Sequence, residues 1–143
     1  MSIDGLSDAA IRAILTGTKR IALVGASANP DRPSNEVLGV LLARGYDVTP
    51  VNPGLAGRAI HGRTVAASLD EAAPLEMVDI FRASDQVGPV VDEAIRLGAK
   101  VIWMQLGVVN EAAAAKARAA GMTVVMNRCP LVESARLGLA RHP

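Results

Sequence analysis

Gly25-Ala26-Ser27 closes a short apolar run, Arg20-Ile21-Ala22-Leu23-Val24, and leads through Asn29-Pro30 and Arg32-Pro33 to Ser34, where a helical pattern begins. A glycine at such a turn lets backbone approach a phosphate, and the open N–H groups of a helix start attract one. Diphosphate binding is therefore the chemistry these residues suggest, although an ordinary strand-to-helix turn reads the same way. The dinucleotide fingerprint GxGxxG is not met: aligned on Gly25, the second glycine is Ser27 and the third is Pro30.

Further polar groups follow the other apolar runs: Asn52-Pro53, Phe81-Arg82, Gln105-Leu106-Gly107 and Asn127-Arg128-Cys129. Each alone fits a polar loop. Together they outline a crevice along one sheet edge. NAD-binding units carry Asp or Glu after the second strand, about 20 residues past the first glycine, to hold the ribose hydroxyls. Asn52-Pro53 stands there instead, which disfavours NAD. A ligand with a phosphorylated ribose remains compatible, and Arg32, Arg58 and Arg82 are arginines able to pair with it. His61 and His142 have no spacing that suggests a metal site or a catalytic triad, and both read as surface residues. Cys129, ahead of Pro130, reads either as a thiol activated at a helix start or as a small apolar filler.

Alternating strands and helices must position these groups. The spacing predicts a helix over Leu6 to Thr16 with Ser7 or Asp8 near its start and Gly17 as C-cap, then a strand over Arg20 to Val24. A helix capped by Ser34 and ending at Gly45 follows, with Val37, Leu38, Leu41 and Leu42 on one side. The second strand spans Tyr46 to Val51, and Pro50 in it argues for a short strand or a bulge. Residues 54 to 75 are the least regular, with a brief strand near Ala59-Ile60 and one helical turn after Ser68. Beyond them come a strand over Met77 to Phe81, a helix from Asp85 to Leu97 and a strand over Lys100 to Leu106. An Ala-rich helix capped by Asn110, a strand over Thr123 to Met126 and a helix over Leu131 to Leu139 complete the chain. This order predicts an α/β fold: a Rossmann-like, doubly wound parallel sheet in three α/β/α layers, forming a single domain over 1–143. Such sheets bind ligands at the carboxyl ends of the strands, where the strand order reverses.

Composition narrows the classes. A chain of 143 residues buries about 68–70% of its unfolded surface, enough to form a core without a disulfide or structural metal. Fifteen Lys and Arg balance fourteen Asp and Glu, and aromatic residues make up only 2%, so neither a basic face nor a stacking surface for nucleic acid is expected. No apolar run approaches the roughly 20 residues of a membrane helix, and the start lacks a secretory layout, so the expected compartment is the cytoplasm. A homodimer is compatible with the apolar helices.

Val24-Gly25-Ala26-Ser27 with Asn29-Pro30 and Arg32-Pro33-Ser34, Val51-Asn52-Pro53, Val78-Asp79-Ile80-Phe81-Arg82, Trp103 to Glu111, and Val125-Met126-Asn127-Arg128-Cys129 together resemble the small single-domain CoA-binding proteins of bacteria. The similarity runs from about Lys19 to Leu137 and extends to the CoA-binding domain of succinyl-CoA ligase alpha subunits. The resemblance implies that Gly25, Ala26 and Ser27 line the phosphate turn, with Arg32 and Ser34 near the diphosphate. It sets Asn52 and Pro53 beside the adenosine, Phe81 and Arg82 across the switch point, and Gln105, Asn127 and Arg128 toward the pantetheine arm. Many members of that family read Asp-Arg-Cys where this chain has Asn127-Arg128-Cys129, which puts an acid role there in doubt. The resemblance also implies a ligand, coenzyme A or an acyl-CoA, and no catalytic group of the chain's own. An NAD(P)-dependent oxidoreductase or transferase and a CoA-sensing regulatory module are the alternatives. If the pantetheine arm ends near Cys129, a mixed disulfide with the CoA thiol is a further possibility.

Overall fold

Period-two alternation decides which layer receives each side chain of a strand. The computed structural model describes residues 3–139, so His142 lies outside the described residues. The elements are α1 (Asp8–Gly17), β1 (Arg20–Val24), α2 (Pro33–Ala43), β2 (Asp47–Val51), β3 (Ala59–Ile60), β4 (Arg63–Thr64), α3 (Leu69–Ala72), β5 (Met77–Ile80), α4 (Val87–Arg96), β6 (Val101–Met104), α5 (Glu111–Ala119), β7 (Thr123–Val125) and α6 (Pro130–Arg136). Five strands form one parallel sheet in the order β2-β1-β5-β6-β7. Ile21, Leu23, Met77, Trp103 and Val125 meet Ile11 and Leu15 of α1 and Val37, Leu38 and Leu41 of α2, with Leu131 of α6 packed alongside. Ala22, Val24, Val78, Ile80, Ile102 and Val124 turn the other way, toward Leu69 of α3, Val91 of α4 and Ala114 of α5. Both faces are therefore buried, which is why these strands read as continuous apolar runs. The expected doubly wound α/β/α architecture is present. Among the described residues no helix is long and apolar enough to cross a membrane.

Several boundaries differ from expectation for physical reasons. Pro33 takes the first helical position of α2, since its fixed φ suits a helix start and its missing N–H is not needed there. Arg32 is consequently the N-cap, without a side-chain cap bond, and Ser34 lies buried inside the first turn instead of capping it. Gly17 is the last residue of α1, and Thr18 provides the C-cap, its N–H donating to Ile14 O at 3.0 Å. Pro50 makes no bulge. It pairs in register with Leu23 on an edge strand, and its carbonyl accepts from Ala66 N on the outer side, so the missing donor falls outside the main ladder. The β3–β4 hairpin includes a strand, Arg63–Thr64, that the sequence reading omits. Ahead of α4 the backbone tightens into a 3-10 turn at Ser84–Gln86, and the α-helix starts at Val87 instead of Asp85.

Candidate functional site

The chain leaves β1 toward β2 on one side and returns past β1 to β5 on the other, so the strand order reverses between β1 and β5. A groove of about 880 Å³ opens there, at the carboxyl ends of the strands. Gly25 sits at its base with φ +90°, where its N–H donates to Val51 O at 3.0 Å. A Cβ on Gly25 would lie 2.1 Å from Phe81 O. The ends of the neighbouring strands β1 and β5 thus approach so closely that only glycine fits, in both space and dihedral.

Two side-chain amides then fix the turn. Asn52 Nδ2 donates to Ala26 O at 2.8 Å, and Asn35 Nδ2 donates to Ser27 O at 2.9 Å. In a trans peptide the N–H points opposite to the carbonyl, so anchoring these two oxygens aims the N–H groups of Ser27 and Ala28 the other way. Asn52 Oδ1 also accepts from Gly54 N at 2.9 Å. Its whole amide is committed to backbone, and it offers no carboxylate to a ribose diol. The first turn of α2 completes this end: Ser34 lines the groove, and exposed Arg32 stands at the helix start.

Across the switch point, Phe81 and Arg82 line the groove half-buried, and Arg82 joins none of the ion pairs formed among the described residues. Gln105, which follows β6, also lines it. Its side chain is 5% exposed, and Oε1 is buried without a hydrogen-bond partner. An orphaned acceptor beside a groove marks a place for a ligand donor.

Of the residues singled out from sequence, Gly25, Ala26, Ser27, Arg32, Ser34, Asn52, Phe81, Arg82 and Gln105 share this groove. Pro53 opens a 3-10 turn, Pro53–Leu55, and does not line the groove, although its neighbours Asn52, Gly54 and Leu55 do. Asn127 and Arg128 line a separate hollow of about 300 Å³. Asn127, with φ +60°, accepts from Gly107 N at 2.7 Å. Arg128 grips Asp4 through Nε at 2.8 Å and Nη2 at 2.9 Å, and its Nη1 bonds Glu133. Hydrogen bonding to Asp4 raises the Arg128 pKa against the opposing effect of burial. For Glu133, burial pushes upward, yet hydrogen bonds from Arg136 and Arg128 leave the carboxyl below its usual range. Cys129 lines both hollows and is buried.

Beyond these, and apart from Cys129 and Leu106, sequence reasoning did not single out the remaining groove residues as ligand contacts. Pro33, Glu36 and Val37 share one face of the first turn of α2, the i, i+3, i+4 relation to Pro33 that an eye on the helix start would find. Val108, Leu131 and Val132 come from loop and helix ends that carry no such signal. His61 is exposed, as its reading as a surface residue expects, and it is also attached: its Nε2 lies 2.8 Å from Asn35 Oδ1 and 3.0 Å from Asn35 O, the residue that anchors Ser27.

Comparison with known proteins shows a family and a shared fold. The family model described as "CoA binding domain" matches residues 19–135. YneT of Bacillus subtilis (strain 168) is 38% identical over 123 residues, spanning 86% of this chain and 90% of that protein. A hypothetical protein from Pyrococcus horikoshii OT3 superposes with a TM-score of 0.90 at 46% identity, covering 96% of each chain. A Thermus thermophilus protein gives 0.87 at 34% identity, over 92% of this chain and 99% of that one.

Proposed function

The chain belongs to the CoA binding domain family, and from that membership we propose that it binds coenzyme A or an acyl-CoA in the groove at the β1/β5 switch point, as a protein of the cytoplasm. The carrying observation is the anchored turn at Gly25-Ala26-Ser27 beside the N-terminus of α2, which has no side-chain cap. The N–H groups of such a turn and helix start suit a diphosphate. Arg32 and Arg82 supply positive charge for the diphosphate and the ribose phosphate. Asn52 favours this ligand over NAD, because its amide is spent on Ala26 and Gly54 and no acid stands at that strand end. At the other end, the unpartnered Oε1 of Gln105 suits an amide N–H of the pantetheine arm. No reaction is assigned to the groove.

Isothermal titration of folded protein, freed of copurified ligand, tests the proposal with CoA, acetyl-CoA, NAD, NADP and ATP. The expected result is saturable heat with CoA or acetyl-CoA and none of comparable affinity with NAD or NADP. Arg82→Ala should weaken CoA binding about tenfold, equivalent to about 1.4 kcal/mol, with the unfolding midpoint unchanged. Absence of heat with both CoA and acetyl-CoA would remove the proposal, and tighter NADP binding would replace it with the dinucleotide reading.

A further inference from the structure

The hollow beside the groove gives a reason to specify the ligand further. Leu106, Cys129 and Val132 line both the 880 Å³ groove and the 300 Å³ hollow, so one wall divides and joins the two spaces. The exposed large apolar side chains among the described residues are Ile3, Leu106 and Val132, at 52%, 59% and 54% exposure. All three border this hollow. Exposed apolar residues scattered singly need no explanation, but three on the rim of one hollow form a surface prepared for an apolar group.

Strand spacing gives the direction. The phosphate turn follows β1, whereas Leu106 follows β6 and Cys129 follows β7, two and three strands away in the sheet. At about 4.8 Å per strand, the shared wall lies on the order of 10–14 Å from the turn. A CoA whose diphosphate rests on the turn would bring its thiol end to that wall, and whatever the sulfur carries passes into the hollow.

The charged side chains that line the hollow limit what that group is. Arg128 and Arg136 stand there with Glu133, and their further partners are Asp4 and Asp8. Among the described residues two guanidiniums are thus paired with three carboxylates, and these pairs leave no positive charge over to receive an acid. From this juxtaposition we infer that the hollow is an acyl subsite, and that the ligand is an acyl-CoA with an uncharged apolar chain, not one whose acyl group ends in a carboxylate. The inference rests on the CoA-binding reading of the groove.

The test is titration of wild type, Ile3→Ser and Leu106→Ser with CoA, hexanoyl-CoA and glutaryl-CoA, read as the ratio of each thioester's affinity to that of CoA in the same variant. A ratio cancels any general loss of CoA binding. Each fully buried methylene contributes about fourfold, so a partly covered hexanoyl chain should bind at least about tenfold tighter than CoA in wild type. Both substitutions should reduce that advantage to about threefold or less, and glutaryl-CoA should gain nothing over CoA. If CoA binds but hexanoyl-CoA binds no tighter, the acyl subsite is overturned while the CoA reading stands. If neither binds, both fall. Equal gains for glutaryl-CoA would overturn the exclusion of acids. Native mass spectrometry adds the remaining arm: a wild-type dimer that Leu106→Ser converts to monomer, with no hexanoyl advantage, would make the apolar rim an interface between two copies and overturn the subsite.

Discussion

The loops after β1 and β7 both end strands of one sheet and both carry polar side chains, yet they use them in opposite ways. After β1, the amides of Asn35 and Asn52 bind backbone carbonyls and so aim the turn's own N–H groups away from them. After β7, the guanidinium of Arg128 is consumed by Asp4, Glu133 and the carbonyl of Leu6, tying the segment before α1 to the sheet edge. One loop satisfies its acceptors to leave donors available, and the other commits its guanidinium to internal acceptors. A strand-end arginine is therefore available to a ligand only where its charge has no internal partner, as at Arg82, and is a structural tie where it does.

Arg128→Ala is the largest expected effect. It would strip the fully buried carboxylate of Asp4 of the guanidinium that grips it and leave the nearly buried Glu133 to Arg136 alone. Breaking such a pair costs about 3–5 kcal/mol, so urea unfolding should show a loss in this range. CoA affinity, measured where the variant remains folded, should change by less than about threefold. An affinity loss as large as that of Arg82→Ala, with stability intact, would erase the distinction between the two loops.

Asp79 extends the comparison to a polar group with no partner at all. It lies in β5 opposite Leu23 and Trp103, fully buried, with neither carboxyl oxygen hydrogen-bonded. Burial raises its pKa well above the ordinary carboxyl value. Below the unfolded value, near 4, both states hold the proton. Above it the unfolded chain releases the proton while the folded chain keeps it, so stability falls by about 1.4 kcal/mol per pH unit until the folded pKa is passed. Asp79→Asn should remove that slope. Urea unfolding of both proteins between about pH 5 and pH 7 measures it, and parallel stability curves would show that Asp79 finds a partner in solution.

The strands of the main sheet other than β2 were legible because strands buried on both faces leave mostly apolar runs, and α1 and α5 because their caps, Ser7 and Asn110, bond as capping chemistry requires. Nine groove residues were legible because a doubly wound sheet collects the residues that follow its strands. The sequence could not separate Arg82 from Arg128, since the deciding partner, Asp4, lies 124 residues before Arg128. Two-residue strands such as β4 leave too short a pattern to detect, and Asp79 lies within an apolar run that gives no hint of its missing partner. Gly25 was legible as a turn glycine, whereas its contact with the Phe81 carbonyl emerges only when β1 and β5 are neighbours. The His61 contact did leave one trace. Gly39 stands inside α2, where glycine costs about 1 kcal/mol relative to alanine, and a Cβ there would lie 3.0 Å from the His61 ring.

His61→Gly gives the smallest effect and the finest test of how the β1 turn is held. His61 occupies the hairpin tip with φ +49°, a left-handed conformation that costs a side-chain-bearing residue about 1 kcal/mol and glycine almost nothing. Its ring returns a similar amount by donating from Nε2 to the Asn35 oxygens, since one such bond is worth about 1 kcal/mol. Replacement by glycine removes both contributions, so the unfolding free energy should stay within about 0.5 kcal/mol of wild type. Asn35 then loses the contact that orients its amide toward Ser27 O, and CoA affinity should fall about threefold. His61→Asn, which tolerates the same backbone and keeps a side-chain donor, should recover part of that loss. A fall in stability with affinity unchanged would mean that the ring only braces the hairpin against α2, and that the β1 turn is held by Asn35 and Asn52 alone.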